Sequence, residues 1–298
     1  MSVLVVGGSG FIGTALCNEL DSRGHDVIAL SRTPSETNLS DGVETAMGDV
    51  TAYDSIAPAF DGMDVVVNLV ALSPLFKPSG GDRKHFDVHL GGTENIVRAA
   101  QENDVGRIVQ MSALGADPNG DTAYIKAKGQ AEAVIRNATL DHVIIRPSIV
   151  FGDGGEFVSF TKQLTTPFVT GLPGGGTRTR FQPIWVGDLV PILADAIEDD
   201  AFDGTYEIAG PEMLTLADVT KLVYRASGQS VTIVPIPMQL VDIGLTVVGP
   251  LPGAPMGADQ AKSLRMDNTT DSNDIEAFGV ALESLTTFES YLDLDARL

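Results

Sequence analysis

Residues 3–13, VLVVGGSGFIG, constrain this chain more than any other stretch. A short apolar run ends in glycines at 7, 10 and 13, and Ile12, Ala15, Leu16 and Leu20 follow at helical spacing. That order reads as strand, tight turn, helix. In such a turn Gly7 permits the sharp reversal, Gly10 lets backbone approach a pyrophosphate, and Gly13 lets helix pack on strand. The helix start, at Phe11 and Ile12, then offers N–H groups and a positive dipole end to phosphate. A purely structural turn can also use glycine. The N-terminal position and a second motif downstream favour dinucleotide binding.

The chain beyond repeats the alternation. Residues 25–30 (HDVIAL) read as a second strand ending at Ser31-Arg32. An acidic residue there would bind the ribose of NAD, whereas an arginine accommodates a 2′-phosphate, so Arg32 favours NADP(H) over NAD(H); its plainer reading is a solvated charge. Residues 43–48 form a third strand with Asp49-Val50 at its tip, and a helix is expected at 55–60. Residues 64–69 (DVVVNL) form a buried strand with Val70-Ala71 just past its end, where sheets of this type place a ligand crevice. A long helix is expected over 83–103, a strand over 107–111 ending at Ser112, a helix over 124–137, and a strand over 142–145 stopped by Pro147. Short connections between alternating strands and helices imply an α/β fold: a Rossmann-type, doubly wound parallel sheet covered on both faces.

From Phe151 the texture changes. A helix at 157–164, a flexible glycine loop at 171–176, short strands at 184–186, 204–209 and 231–234, and helices at 188–199 and 216–227 are expected. The last part reads as helical with proline breaks. No repeat or separating linker is evident, so residues 1–150, with 177–203 returning to them, form the NADP-binding core. Residues 151–176 and 204–298 form a smaller substrate lobe.

Charge narrows the function. With 19 basic and 40 acidic residues the formal net charge is −21. This argues against nucleic acid and anionic membrane surfaces, which need clustered positive charge. Asp outnumbers Glu about twofold and Lys is scarce beside Arg, a balance that reads as adaptation to high salt, where self-repulsion is screened. An ordinary soluble acidic enzyme is the plainer alternative. Cys17 is the single cysteine and reads as a small packed hydrophobe. No basic-then-apolar leader opens the chain. The apolar run at 233–256 is broken by prolines and Asp242, making a poor membrane span. A cytoplasmic protein without a transmembrane segment is expected, with the 233–256 run able to lie against a partner or a bilayer surface.

The second motif is Tyr124-Ile125-Lys126-Ala127-Lys128. Spacing of four places Tyr124 and Lys128 on one helix face. A cation beside a phenol favours the phenolate, which makes a usable acid/base near neutral pH, and the lysine can also hydrogen-bond a nicotinamide ribose. Other features have two readings. His85 and His89 have the spacing of a helical metal pair but no third ligand is evident, so helix surface or cleft lining is favoured and no metal is expected. Arg178 and Arg180 either clamp an anionic substrate or face an acidic surface. Asp188 is most simply a helix N-cap.

GGSGFIG, Asp49-Val50 and YIKAK together resemble the extended branch of the short-chain dehydrogenase/reductase superfamily, which includes nucleotide-sugar epimerases and dehydratases. RPSIVFGDGGEF (146–157), FQPIWVGDLV (181–190), YEIAGPEMLTL (206–216) and LPGAPMGADQAKSLRMDN (251–268) resemble one subgroup of it. That subgroup comprises the nucleotide-binding accessory subunit of respiratory complex I and free-standing prokaryotic relatives. The resemblance implies a pyrophosphate turn at Gly7, Gly10 and Gly13, an NADP-type contact at Arg32, an adenine edge at Asp49-Val50 and a catalytic pair Tyr124–Lys128. Ser112 is the implied third catalytic member, although the epimerase place for it falls on Ala113. The connection from Ser112 to Tyr124 is also shorter than in epimerases, which argues against epimerase or dehydratase chemistry. Reduction of a carbonyl or quinone with Tyr124 as acid/base is implied instead, or a non-catalytic role in which bound cofactor stabilises a structural or assembly protein. Respiratory-chain subunits, quinone and the inner face of the membrane are the implied surroundings.

Overall fold

Six strands, most of them with an apolar centre, form the middle of the fold: β1 (Ser2–Val6), β2 (Asp26–Ser31), β3 (Val43–Met47), β4 (Val65–Asn68), β5 (Arg107–Met111) and β6 (Asp141–Pro147). The computed structural model describes residues 1–34, 38–237, 258–263 and 265–293. Most of the proline-broken run at 233–256 lies outside the described residues. The six strands are parallel in the order β3-β2-β1-β4-β5-β6, and β7 (Gly204–Ile208) flanks β6. Val3, Leu4, Val5 and Val6 are all fully buried, as a strand covered on both faces requires. Strand order reverses between β1 and β4, which opens a crevice at their carboxyl ends.

The chain folds into two compact units. One comprises Met1–Leu72, Pro78–Pro147 and Val186–Glu207; the other comprises Ser73–Lys77, Ser148–Trp185 and Ile208–Leu298. In the first unit Leu4, Val6, Ile56, Phe60, Ile96 and Ile108 form a buried cluster under the helices. Its longer helices are α1 (Phe11–Ser22), α2 (residues 83–102), α3 (Ala123–Arg136) and α4 (Val186–Glu198). The helix α2 is α-helical over Arg83–His85, passes through a π-helical turn at Phe86–Gly91 and resumes as α-helix over Gly92–Glu102. Thr122 caps α3, its hydroxyl accepting the Ile125 N–H at 3.3 Å. Gly129 lets α3 press against the preceding loop, since a Cβ there would fall 2.2 Å from the Asp117 carbonyl carbon.

The second unit has its own core of Phe151, Phe157, Leu172, Phe181, Val219 and Phe288. The glycine loop expected at 171–176 is instead ordered. Phe168–Pro173 pairs in parallel with Val231–Ile236, and a 3₁₀ turn follows at Gly174–Gly176. The glycines at 174, 175 and 176 supply the positive φ that this turn needs. The helix expected at 55–60 starts earlier, at Tyr53–Ile56, and ends as a 3₁₀ turn over Ala57–Phe60. Asp188 is not a cap: α4 begins at Val186, which puts Asp188 inside its first turn, where an acid still favours the helix dipole. The described C-terminal part is less helical than expected. It has one α-helix at Ala258–Ser263, 3₁₀ turns at Asp274–Phe278 and Leu282–Ser284, and a single helical turn at Phe288–Tyr291.

Candidate active site

The glycine turn between β1 and α1 builds the first wall of an open cleft. Gly7 has φ +93, a conformation that side chains resist. A Cβ at Gly13 would fall 2.1 Å from the Gly7 carbonyl oxygen, so helix and turn touch backbone to backbone. Gly8, outside the triplet, is equally constrained, because a Cβ there would lie 2.6 Å from that of Ala29. Gly10 caps α1 in an extended conformation and no side chain bonds the helix start. The first-turn N–H groups of Phe11 and Ile12 are therefore left for an anion. This cradle fits a pyrophosphate.

Val6, Gly7, Ser9, Gly10, Ser31, Arg32, Asp49, Val50, Val70, Ala71, Leu72 and Val88 line the cleft. Ser31 is half-buried and bonds Ser9 through its hydroxyl at 3.1 Å, while Arg32 is exposed at the rim. The Asp49 carboxylate accepts the Thr51 N–H and hydroxyl at 2.9 and 2.8 Å. Partial burial works to raise its pKa, but these bonds and the nearby Arg32 and Lys84 charges hold it below the usual range. Asn68, which ends β4, shapes the opposite wall. Its Oδ1 accepts the Val70 N–H at 3.1 Å, while its Nδ2 donates to Gln110 and Thr93. Sequence reasoning missed Asn68; the polar residue closing an otherwise apolar strand was the signal.

Tyr124 and Lys128 lie on α3, in the same unit. Lys128 is 1% exposed and donates from Nζ to the Met111 carbonyl oxygen at 2.9 Å. Burial pulls its pKa down to about 8, partly opposed by Glu132. Tyr124 is half-buried, and desolvation pushes its phenol well above the usual tyrosine range. The expected lowering of the phenol by the lysine is corrected: desolvation dominates, and the ammonium is spent on a backbone carbonyl. Tyr124 is thus a protonated acid at neutral pH.

Ser112 and Ala113 follow β5 and are both buried. Ser112 donates its N–H to Ile145 at 2.7 Å, and Leu114 donates to the Pro147 carbonyl at 3.1 Å, so this segment keeps pairing beside β6. The Ser112 hydroxyl is buried and makes no hydrogen bond to Tyr124; it lies close enough to Glu132 to help keep that carboxylate ionised. No hydrogen bond joins Ser112 to the Tyr124–Lys128 pair. Pro147 is buried at the end of β6 and does not line the cleft described above.

His85 and His89 pack on Tyr124. The two imidazoles stack with centroids 5.6 Å apart, and the Tyr124 ring stands edge-on to them at 5.7 and 5.4 Å. Both histidines are buried. Among the described residues no cluster of three metal-ligating side chains exists. In the second unit the Arg180 guanidinium is paired with Asp267, with Nε 2.9 Å from its carboxylate, which is the second of the two readings given for it, a charge facing an acidic neighbour. Arg178 is exposed beside Gly174.

Residues 7–170 match a family described as NAD(P)H-binding. The chain is 26% identical over 231 residues to the mitochondrial NADH dehydrogenase [ubiquinone] 1 alpha subcomplex subunit 9 of Arabidopsis thaliana, covering 74% of this chain and 56% of that one. It is 27% identical over 263 residues to the chloroplastic divinyl chlorophyllide a 8-vinyl-reductase of Cucumis sativus, covering 83% and 62%. The chain thus spans about three fifths of the length of these relatives. The UDP-glucose 4-epimerase of Thermus thermophilus, solved with NAD, superposes with a TM-score of 0.75 at 23% identity, covering 99% of this chain and 97% of that one. At that identity the likeness concerns the fold.

Proposed function

The chain belongs to the NAD(P)H-binding family, in the extended short-chain dehydrogenase/reductase and epimerase-like superfamily, and from that premise we propose an NADP(H)-dependent reductase of a carbonyl or quinone. The observation that carries the reading is a desolvated, protonated phenol on the same helix face as a buried ammonium, in the unit that holds the glycine cradle. The cradle, with Arg32 at its rim, holds NADP(H), which supplies a hydride when bound. Tyr124 gives its phenolic proton to the substrate oxygen as that oxygen gains charge. Lys128, on the same helix face, holds a ribose hydroxyl through an N–H that the Met111 carbonyl does not use. The second unit, with Arg178, is assigned to substrate recognition.

A second reading is favoured by one observation, the Ser112 hydroxyl that is buried near Glu132 and makes no bond to Tyr124. With no hydrogen bond linking Ser112 to the phenol, we read a bound cofactor as stabilising the fold without turning over. The similarity to a complex I subunit suits that role, with respiratory-chain subunits as partners at the inner face of a membrane. No helix among the described residues is long and apolar enough to cross a membrane. Nucleotide-sugar epimerase or dehydratase chemistry is less well supported, since Ala113 stands where a hydroxyl is wanted.

Single-turnover oxidation of bound NADPH separates these readings. Quinones, small carbonyls and nucleotide sugars are offered to the wild type and to Tyr124→Phe. Oxidation that the variant loses supports the reductase. Tight binding without oxidation supports the structural role, and failure to bind NADPH overturns both.

A further inference from the structure

We infer that His89 is a positioning residue that ties the wall of the cofactor cleft to Tyr124. The π-helical turn at Phe86–Gly91 interrupts α2 where it runs beside α3 and turns His89 inward, leaving it 3% exposed. Its Nε2 accepts the Leu72 N–H at 3.3 Å. Leu72 lines the cleft, as does Val88, the residue before His89. The other side of the imidazole meets the Tyr124 ring at 5.4 Å with an interplanar angle of 86°, and His85 stacks behind it. One side chain therefore touches both the backbone that borders the cleft and the ring of the proposed acid.

The bond to Leu72 has a chemical consequence. An Nε2 that accepts must be unprotonated, so a neutral ring carries its hydrogen on Nδ1. That Nδ1 is buried without a hydrogen-bond partner. Leaving a buried donor unpaired is unfavourable, and a histidine that served packing alone could be replaced by an apolar ring at lower cost. Burial and the nearby Lys128 and His85 all disfavour the imidazolium and outweigh the opposing backbone influence at Val70, which keeps Nε2 available as an acceptor. Protonation would break the Leu72 bond and set a second cation beside Lys128.

The inference rests on the reading of the cleft as a nicotinamide-cofactor site, and the experiment separates the two. NADPH affinity is measured by bound-nicotinamide fluorescence for the full chain, His89→Phe and His89→Gln. The phenyl ring keeps the shape and loses the acceptor; the glutamine keeps an acceptor oxygen and loses the ring. Losing one neutral hydrogen bond at the cleft wall is expected to weaken NADPH about tenfold in His89→Phe, with His89→Gln recovering most of it. Equal affinity in all three proteins, or equal loss in both variants, overturns the inference while leaving the cofactor reading intact. Absence of binding in the wild type overturns the cofactor reading instead. Should His89→Phe fail to fold, the wild type still decides: imidazole ¹⁵N shifts are expected to show an Nδ1–H tautomer at His89, displaced in Tyr124→Phe. An Nε2–H tautomer overturns the link to Leu72.

Discussion

Lys128 points its ammonium at the carbonyl oxygen of Met111, 2.9 Å away at the end of β5, and is almost wholly enclosed there. A cation in that position is a burden to the fold, and burial lowers its pKa to about 8. The site tolerates it because the backbone carbonyl and Glu132 partly compensate.

The sign of its pH effect follows. Between pH 8 and the ordinary lysine range the unfolded chain keeps a proton that the native state has released. Wild-type stability therefore gains with pH across that window, by up to about 1.4 kcal/mol per pH unit. Lys128→Met lacks this gain. Urea midpoints at pH 7.5 and 10 should move in favour of the wild type relative to the variant, and an unchanged difference would mean that Lys128 titrates normally. The same variant should bind NADPH more weakly at pH 7.5, where the wild-type ammonium is largely charged.

Arg32 stands exposed at the rim of the cleft beside Ser31 and Asp49. A guanidinium there is matched to a 2′-phosphate. Arg32→Ala should weaken NADPH by at least about tenfold, equivalent to ~1.4 kcal/mol, and leave NADH unchanged. Because the contact is exposed, the wild-type preference should shrink in high salt. Titration with both cofactors checks this; a wild type that prefers NADH would remove the assigned role of Arg32.

Gly10 and Gly13 should fail in different ways. A methyl at Gly10 meets only the Gly7 carbonyl oxygen, at 3.1 Å, while a methyl at Gly13 would lie 2.1 Å from that atom and 2.8 Å from the Gly8 Cα. Gly10→Ala should keep the fold and lose cofactor affinity, since its Cβ enters the approach to the helix start. Gly13→Ala should lose about 1–3 kcal/mol of stability through forced overpacking. Melting curves with and without NADPH distinguish the two. Equal loss of stability in both would show that Gly10 also packs against the fold.

Much of this was legible from residues because local chemistry fixes it. The apolar runs of β1, β4 and β5 announce buried parallel strands, and Gly7 announces a positive φ, without reference to distant neighbours. The ordered 171–176 segment was not legible, because its partner strand, Val231–Ile236, lies some sixty residues away and glycine-rich sequence reads as loop. Nor was the environment of Tyr124. Spacing of four put Lys128 on its face, but desolvation and the Met111 carbonyl belong to tertiary packing, and they reversed the expected direction of the phenol shift. The inward turn of His89 depends on one π-helical turn, which no side-chain periodicity marks.

Glu132 offers the test that joins stability to the site. It is 1% exposed, yet Arg146 reaches both of its oxygens at 2.8 and 2.7 Å and Arg136 adds a bond at 2.8 Å. Burial works to raise its pKa, and the bonds from Arg146 and Arg136, with the Ser112 hydroxyl nearby, reverse that and hold it below the glutamate range. The stability it contributes is therefore present above the ordinary glutamate pKa and is lost as pH falls through the lower native value. Glu132→Gln leaves Arg146 with only its longer carboxylate contact, to Glu207 at 3.4 Å, and should cost about 3 kcal/mol at pH 7. The variant should also lose the acid-limb slope that the wild type shows. Since Glu132 partly supports the Lys128 ammonium, its removal should carry the alkaline fall of NADPH binding to lower pH. Denaturation at pH 4 and 7, with NADPH titrations from pH 7 to 9, reads both effects. A destabilised variant whose binding profile stays fixed would confine Glu132 to the scaffold and leave Lys128 governed by burial alone.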